Sequence, residues 1–367
     1  MRPYLTGMNA HQPSSPPLSS PETPAAAVPL SVLDLSVVTA GHSGPEALRG
    51  TIELARHVDA LGFARFWVAE HHNLPSVASG APDIMAGQIL AATRRIRVGS
   101  GGVMLPNHAP LMVAERFKVL EALYPGRVDL GLGRAPGSDQ LASIALRRRQ
   151  NVEPEDDFLD RLRELMAFDD GRWAPDHPFR KIQVMPVDVR LPPLFLLGSS
   201  GYSARLSAQI GVGFAFAHHF ATHDVLDAML SYRDGFQPSE HLAKPHAILA
   251  LSVVCAESDA EAERLAASVD LSHLRRQRGS FAPIPSPDEA AAYPYTEADR
   301  AFIRRNRERV LVGGPETVAA GLNRFLATTL ADELMITTPI YDPAAKKRSF
   351  ELLAALRPAL QPAAAVA

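Results

Sequence analysis

Two pairs of adjacent histidines stand where short apolar runs of the sequence end. His71-His72 follows the run Arg65–Ala69, and His218-His219 follows the run Gly213–Ala217. Imidazole takes up and releases a proton near neutral pH, so either pair could supply a general base. Because neighbours on an extended segment face opposite sides, we expect at most one histidine of each pair to face a shared site. The alternative is a histidine held by structural hydrogen bonds.

A second pattern could bind an anion. Gly198, Ser199 and Ser200 separate an apolar run from a helical pattern that begins near Tyr202. Free N–H groups at a helix start, with little side chain in the way, attract negative charge. Arg134 follows another apolar run and could add a charged fork to the same anion. Together they predict a site for a phosphate-bearing cofactor, with an ordinary turn and a surface ion pair as the alternatives.

A third pattern concerns bare backbone. Gly101 and Gly102 lie inside the apolar run Ile96–Val103. Glycine within a strand often marks the close approach of a ligand or of another backbone segment. A flat ring system could therefore lie against this stretch, and a bulge or a tight bend of the sheet is the alternative.

Two familiar kinds of site are not supported. The stretch Gly131–Arg134 departs from the dinucleotide fingerprint G-x-G-x-x-G, and no helical pattern follows it directly. The four paired histidines, with Glu70 and Asp83 nearby, form no H-E-x-x-H motif, so we predict no metal. The single cysteine, Cys255, excludes an internal disulfide and a cysteine-rich metal cluster.

The elements that would position these residues follow a regular rhythm from Ser31 onward. Short apolar runs alternate with longer amphipathic segments, several of which open with the proline typical of a first helical turn. Eight such units predict an α/β fold, a closed (β/α)8 TIM barrel, with an open doubly wound sheet as the alternative. The predicted strands are Val32–Val38, Arg65–Ala69, Ile96–Val103, Val128–Leu132, Leu194–Leu197, Gly213–Ala217, Ile248–Cys255 and Glu333–Thr337.

Two stretches interrupt this alternation. Ala135–Pro193 holds one predicted helix and a polar, proline-containing segment, and Asp270–Arg309 contains no predicted strand. Long connections of this kind are usually functional or disordered. Since a barrel forms its active site at the C-terminal ends of its strands, we expect both stretches to be insertions over that face. Asp270–Arg309 would then act as a lid.

The chain of 367 residues carries a formal net charge of −3. This balance gives no electrostatic footprint for nucleic acid, and no apolar run approaches the ~18 residues of a membrane span. We therefore expect no nucleic-acid partner, no membrane association and a cytoplasmic protein. Prolines interleaved with Ser, Thr and Ala predict a disordered leader over residues 1–29, with the barrel over residues 30–357 and a flexible tail over residues 358–367.

Several motifs, in order along the chain, resemble those of one family. The stretch Phe66–His72 resembles the second-strand motif of the bacterial luciferase-like flavin-dependent monooxygenases. Val98–Pro110 is similar to that family's third strand and exit loop, and Leu123–Arg134 to the stretch that leads into its fourth strand. Further matches are Leu196–Ser200, Val312–Val318 and Ala331–Thr338. The resemblance extends from about Ser31 to about Leu356.

This resemblance implies a barrel that binds reduced FMN delivered by a separate flavin reductase. The reduced flavin would react with O2 to give a C4a-peroxyflavin, which oxygenates a small organic substrate. Gly101-Gly102 occupies the place of a non-proline cis peptide beside the flavin ring, and His71 that of a histidine that moves protons. Arg134 and Ser199 fall on phosphate-binding positions. We expect Gly198, Ser200 and Tyr202 to complete the cofactor site, and His72, Met104, His218 and His219 to line the substrate pocket.

The chain departs from luciferase itself at several positions. Gly198 stands in place of an acidic residue, Gly101-Gly102 in place of alanines, and Gly133 in place of a reactive cysteine. Light emission from a long-chain aldehyde is therefore not implied. An F420-dependent hydride-transfer oxidoreductase of the same fold and a non-catalytic flavin-binding protein are the alternatives. By analogy with the family, we expect a homodimer through the outer segments Pro82–Thr93 and Pro110–Leu123.

Overall fold

The computed structural model describes residues 27–135, 137–147, 157–221 and 223–362. Within these residues the chain forms nine strands in one parallel sheet and twelve α-helices. The strands are β1 (Leu30–Asp34), β2 (Arg65–Val68), β3 (Arg97–Met104), β4 (Val128–Gly133), β5 (Leu194–Gly198), β6 (Gly213–Ala217), β7 (Ala247–Cys255), β8 (Val310–Gly313) and β9 (Glu333–Thr337). The helices are α1 (Gly44–Ala60), α2 (Pro82–Ala92), α3 (Pro110–Leu123), α4 (Gln140–Arg147), α5 (Phe158–Asp170), α6 (Gly201–Ile210), α7 (Val225–Asp234), α8 (Asp259–Gln277), α9 (Pro287–Ala292), α10 (Glu297–Arg307), α11 (Pro315–Thr329) and α12 (Pro343–Leu356).

Eight of these strands close into a barrel. β1 to β7 pair in sequence order, β7 also pairs with β9, and β9 pairs with β1. The predicted (β/α)8 barrel is therefore confirmed. The remaining strand, β8, was not predicted. It lies outside the ring and pairs with the last residues of β7. Its apolar run, Val310–Val312, is shorter than the four to eight residues by which a strand is usually recognised.

The largest differences from the prediction concern β1, the stretch Ala135–Pro193 and the length of α8. β1 ends at Asp34 instead of Val38, because Ser36 adopts a positive φ of 52° and its N–H bonds back to the Asp34 carboxylate at 2.8 Å. Ala135–Pro193 contains two helices, α4 and α5, where one was predicted. α8 runs on to Gln277, because no glycine or proline interrupts the chain before that point. The last eight residues of α8, from Asp270 to Gln277, therefore belong to the second insertion.

Side chains on each barrel strand alternate between the helix layer and the barrel interior. The interior is filled at mid-height by Leu33, Trp67, Phe195, Ile248 and Met335. The rings of Trp67 and Phe195 meet edge to face, with centroids 5.1 Å apart. The barrel is therefore a packed core and not a pore, so a ligand can enter only from its C-terminal end.

A buried ion-pair network closes the N-terminal end of the barrel below this layer. Arg65 Nε lies 2.9 Å from Glu333 Oε2, and Arg65 Nη1 lies 2.8 Å from Asp129 Oδ2. Trp67 Nε1 donates to the same Asp129 oxygen at 3.1 Å, and Arg97 Nε donates to Asp129 Oδ1 at 2.9 Å. Four strands, β2, β3, β4 and β9, are joined by these bonds.

The charge of Glu333 depends on its partners. Burial by itself raises the pKa of Glu333, but a hydrogen bond from His246 and the charge of Arg65 outweigh it, so the pKa lies below its usual value. The folded state therefore binds this proton more weakly than the unfolded chain. The resulting stabilisation is present above the unfolded pKa and is lost as the pH falls through the lowered folded pKa.

Replacing Arg65 by alanine should lower the free energy of unfolding at neutral pH by about 3–5 kcal/mol, because the two buried carboxylates of Glu333 and Asp129 each lose one charged partner. Urea unfolding followed by circular dichroism measures this loss. Arg348→Ala is the matched control, since Arg348 pairs with Glu257 at the surface and its removal should leave the stability near that of the wild type. Equal stability of the two variants would contradict a structural role for the network.

The ends of the chain are described only in part. Most of the predicted leader, residues 1–29, and half of the predicted tail, residues 358–367, lie outside the described residues. At the inner edges of these segments, Val28 and Leu360 are buried against the barrel. In the described ranges no helix is both long enough and apolar enough to cross a bilayer.

Candidate active site at the barrel mouth

The first histidine pair divides between the inside and the outside of the barrel. Continuing the alternation of β2, in which Trp67 faces the interior, places His71 inward and His72 outward. His72 Nε2 lies 2.8 Å from Oε1 of Glu70, which stands on the same outer side facing α3. One histidine of the pair thus faces the mouth, as expected, but His72 does not line the substrate pocket in the way that we predicted.

The second pair divides in the same way. The inward residue is His219, whose Nδ1 lies 3.4 Å from the carbonyl oxygen of Ala250, an interior residue of β7. Burial lowers the pKa of His219 to about 4, so its imidazole is neutral at pH 7. His218 packs edge-on against Phe325 of α11, with ring centroids 4.9 Å apart. It faces the helix layer, so its predicted place in the substrate pocket is not supported either.

A buried carboxylate organises the ends of β2 and β3. Glu70 Oε2 accepts hydrogen bonds from the backbone N–H of Met104 at 2.8 Å and lies 2.9 Å from His108 Nε2. Glu70 Oε1 accepts from Asn107 Nδ2 at 3.3 Å and meets His72. Burial by itself raises the pKa of Glu70, but the hydrogen bonds from His108 and His72 outweigh it, and the pKa is lowered. Glu70 is therefore a charged anchor that holds the exit loop of β3 beside His71.

Small residues occupy the inward positions above the Trp67–Phe195 layer. They are Ala69, Gly101, Gly131, Gly133 and Ala250. A Cβ atom on Gly101 would lie 2.9 Å from Leu33 Cδ1, and one on Gly131 would overlap the carbonyl of Ser100. The Gly101–Gly102 peptide bond is cis, as the resemblance implies. The Met104 side chain borders these residues, since its sulfur lies 2.8 Å from where a Cβ atom of Gly133 would be. We call this group of small residues the glycine platform.

The exit of β5 leaves a helix start open. Gly198 ends β5, and Ser199 and Ser200 lead into α6, which begins at Gly201. Ser200 is the N-cap residue, but its side chain accepts no hydrogen bond from the first-turn N–H groups of α6. These groups are therefore available to an anion at the mouth.

Arginines add positive charge at this helix start. The Arg134 guanidinium, at the exit of β4, lies over the ring of Tyr202 at 4.3 Å from its centroid. Arg205 folds back along α6, so that its Nη1 lies 2.8 Å from where a Cβ atom of Gly201 would be. The structure thus places Arg134 against Tyr202 in the first turn of α6, directly after Ser199 and Ser200, and adds Arg205, which the sequence pattern did not single out.

The second insertion reaches over the mouth. The segment after α8 is joined to the exit of β1, because Ala40 N donates to Ile284 O at 2.8 Å and Ile284 N donates to Val38 O at 3.0 Å. In α8 itself, His273 Nδ1 lies 2.6 Å from Asn306 Nδ2 of α10. Arg276 lies one turn further along α8. The predicted position of Asp270–Arg309 above the C-terminal face is consistent with these contacts.

The electrostatic surroundings of His71 favour its neutral form. Its Nδ1 is buried and has no hydrogen-bond partner among the described residues. Burial, followed by the positive charge of Arg276, lowers the pKa of His71, and the charge of Glu70 opposes this only in part. A neutral imidazole with an unpartnered nitrogen facing the mouth can accept a proton from a bound molecule.

Replacing Arg276 by glutamine should raise the pKa of His71 towards its usual value near 6.5, because a neighbouring positive charge is removed. Titration of the histidine ring signals by NMR measures this change in the protein without cofactor. Arg305→Gln, which removes an exposed arginine of α10, is the matched control and should leave the His71 titration unchanged. A His71 pKa that is the same in both variants would place Arg276 away from the mouth.

A cavity of about 290 Å³ lies elsewhere, between α1 and α12. Its walls include His42, Arg49 and Tyr341, and at its base Asp34 pairs with Lys346. No residue predicted for the cofactor or substrate site lines it. In the described part of the chain, no three side chains of the His, Cys, Asp and Glu types lie together as ligands for a metal ion.

Comparison with solved structures supports the fold and leaves the cofactor open. The FMN complex of the oxygenating constituent of 3,6-diketocamphane monooxygenase from Pseudomonas putida is 20% identical, with a TM-score of 0.68 over 92% of this chain and 99% of that chain. An F420-dependent secondary alcohol dehydrogenase is 12% identical, with a TM-score of 0.63 over 91% and 99% of the two chains. At these identities the likeness shows the fold alone.

Closer similarity is found with proteins of one family. The model of the luciferase-like monooxygenases matches residues 28–333. A luciferase-like monooxygenase of Escherichia coli K12 is 40% identical over 325 residues, which cover 89% of this chain and 96% of that protein. The crystal structure of apo-MsnO8 is 38% identical and has a TM-score of 0.82 over 91% of this chain and 99% of that chain. On this similarity, and on the barrel with its cis glycine pair, the chain belongs to the luciferase-like monooxygenase family.

Proposed function

We propose that this protein is an FMN-dependent monooxygenase that receives reduced FMN from a separate flavin reductase and oxygenates a small organic substrate with O2. The observation that carries the proposal is a pair of complementary surfaces at one end of the barrel. The glycine platform at Gly101-Gly102 suits a flat ring, and the open start of α6 with Arg134 suits a phosphate group. The presence of FMN in a solved structure of the same fold supports this assignment.

The residues at each surface fit the two parts of FMN. The ring would rest on the Gly101-Gly102 backbone. A side chain on Gly101 would collide with Leu33 and Trp67, and one on Gly102 would collide with the carbonyl group of Gly131. The phosphate would be held by the first-turn N–H groups of α6, by Ser199 and by Arg134. When bound, reduced FMN supplies the electrons that activate O2.

The chain contributes proton handling and the exclusion of water. His71 would accept or return a proton at its Nδ1, which has no partner among the described residues, while Glu70 holds the neighbouring exit of β3 through the backbone N–H of Met104. The end of α8 and the segment tied to β1 would cover the reacting atoms and keep bulk water away from them. Glu70 therefore acts as a positioning residue in this proposal.

Replacing Arg134 by alanine should weaken the binding of reduced FMN by about 1.5–3 kcal/mol, because a charged hydrogen bond to the phosphate is lost. Anaerobic titration followed by flavin absorbance measures the affinity, and Arg324→Ala on the exposed face of α11 is the control. Riboflavin, which lacks the phosphate, should bind both variants and the wild type equally. An unchanged FMN affinity in Arg134→Ala would contradict the phosphate assignment.

The same titration distinguishes the cofactor. Wild-type protein that binds F420 but not FMN would replace the monooxygenase proposal by hydride transfer without O2. The protein could instead bind reduced FMN and pass all of the flavin's electrons to peroxide, whichever substrate is offered. This result would favour a passive flavin carrier.

We also propose that the protein forms a homodimer through α2 and α3. Both helices are apolar on the side that faces the barrel and on part of their outer side. Ile84 on α2 is 65% exposed, and Leu123 on α3 is 66% exposed. Met112 and Val119 are exposed on α3 as well, so an apolar surface continues along this helix. Apolar surfaces of this kind commonly mark a protein interface.

The double variant Ile84→Asp, Leu123→Asp should shift the protein from dimer to monomer, because each charge would be buried in the interface. Light scattering coupled to gel filtration measures the mass. Leu141→Asp, at a residue of α4 that is 73% exposed, is the control and should leave the dimer intact. A wild-type protein that is monomeric at all concentrations would refute the dimer.

A further inference from the structure

The cavity of about 290 Å³ between α1 and α12 lies in the helix layer and not in the barrel interior. Leu33 of β1 faces inward, so Asp34, the next residue, faces outward and forms the base of the cavity. An apolar cavity of about 150 Å³ can hold one benzene ring, so this cavity has room for a molecule of two small rings. Its apolar walls are formed by Val37, Ala47, Leu54, Pro339, Ile340 and Pro343.

Gly50 keeps part of this space open. It lies in the interior of α1, where glycine weakens a helix relative to alanine. Its φ is not in the positive region, and a Cβ atom on it would meet no described atom within 4 Å. Neither the backbone nor a neighbouring side chain therefore requires glycine at this position. Glycine does allow a molecule in the cavity to approach the backbone of α1 closely.

The charges around the cavity are balanced by one another. Both carboxylate oxygens of Asp34 are occupied, one by Thr51 Oγ1 at 2.7 Å and the other by Lys346. Glu53 pairs with Lys347 at 3.4 Å. Three carboxylates and three cations line the cavity in all, which are Asp34, Glu46, Glu53, Arg49, Lys346 and Lys347. The lining therefore suits a molecule without net charge.

Lys346 has hydrogen-bonding capacity left. Its ammonium group carries three N–H donors, and Asp34 is its only partner among the described residues. The Lys346 side chain is 18% exposed and lines the cavity, so the remaining donors are available to a molecule bound there. Because Asp34 already balances the charge of Lys346, a neutral oxygen acceptor suits these donors better than an anion does.

The wall of the cavity also holds the second insertion. Thr39 lines the cavity and forms a β-bridge with Ile284 of that insertion. Ala40 N donates to Ile284 O at 2.8 Å, and Ala40 O accepts a hydrogen bond at 2.8 Å from Tyr341 Oη, which belongs to another wall. The cavity and the insertion therefore share the exit segment of β1, residues 37–42. A molecule packed against this segment restrains the backbone that holds Ile284.

We infer that the cavity between α1 and α12 binds a small uncharged organic molecule, with an apolar body of about two rings and an oxygen acceptor, and that this binding steadies the second insertion. The apolar body packs on Leu54 and Ile340 beside Gly50, and the acceptor receives a hydrogen bond from Lys346. The cavity shares no residue with the candidate active site, so the inference goes beyond the proposed function and does not depend on it. The coupling is reciprocal, so a well-ordered insertion in turn tightens binding in the cavity.

The probes are three molecules that share one two-ring body. Indanone carries a ketone oxygen, indane lacks it, and indanecarboxylate carries an anionic group instead. Their affinities would be measured by ligand-observed NMR on the protein with and without bound FMN, and a crystal soaked in indanone would locate the site. We expect indanone to bind at least about tenfold more tightly than indane, as for a hydrogen bond to a charged group, and more tightly than the acid.

The effect on the second insertion is measured by amide hydrogen exchange and mass spectrometry. The N–H of Ile284 donates to Val38 O at 3.0 Å, so its exchange reports whether the insertion stays joined to the exit of β1. We expect saturating indanone to slow exchange around Ile284 at least about twofold in the wild type.

Variants of α1 locate both effects in the cavity. Gly50→Leu fills the cavity and should abolish both indanone binding and the slower exchange, while the helix is kept because leucine favours it. Gly50→Ala adds a single carbon and should weaken binding to a smaller extent. Ala60→Leu, at the exposed end of the same helix, is the matched control and should behave as the wild type.

Four results would overturn the inference. Indane could bind as tightly as indanone, or the acid could bind more tightly than the ketone. Indanone binding could persist undiminished in both Gly50 variants, which would place it elsewhere. Exchange around Ile284 could also stay the same when indanone is bound.

Discussion

The ion pairs of Arg65 with Glu333 and Asp129 constrain the rest of the barrel. They close its N-terminal end and join β2 to β4 and to β9. No two of these three strands are neighbours in the sheet. Together with the Trp67–Phe195 layer above them, they leave the C-terminal end as the only part of the interior that can take a ligand. β2 carries Arg65 at its start and leads to His71 beyond its end, so the bonds that fix the register of β2 also fix the height of His71 in the mouth.

Successive residues of a strand point to opposite sides of the barrel. At the ends of the strands this alternation keeps negative charge on the outer side and leaves the mouth free of it. Glu70 faces outward, where His72, His108 and the backbone of Met104 satisfy it, while His71, one residue later, faces inward and stays neutral. The carboxylate therefore stabilises the loops without placing negative charge beside the reacting atoms. Positive charge comes from outside the strands, with Arg134 from the exit loop of β4 and Arg276, which lowers the pKa of His71, from α8.

The sequence predicted the architecture well because its signals are local. Continuous apolar runs mark strands that are buried on both faces, and prolines open α2, α3, α11 and α12. The site was predicted less completely, because its geometry depends on distant partners. The orientation of His72 depends on its hydrogen bond with Glu70. Glu70 in turn is held by His108, which lies 38 residues further along the chain. Arg276 could not be distinguished from Arg275 by sequence, since only the packing of α8 against α9 shows which of them meets a carboxylate.

The most direct test of this account is the crystal structure of the protein in complex with FMN. The account predicts that the ring lies on the Gly101-Gly102 backbone above Trp67, with the phosphate against Arg134, Ser199 and the first turn of α6. FMN bound in the cavity between α1 and α12, or a phosphate held away from Arg134 and α6, would contradict it.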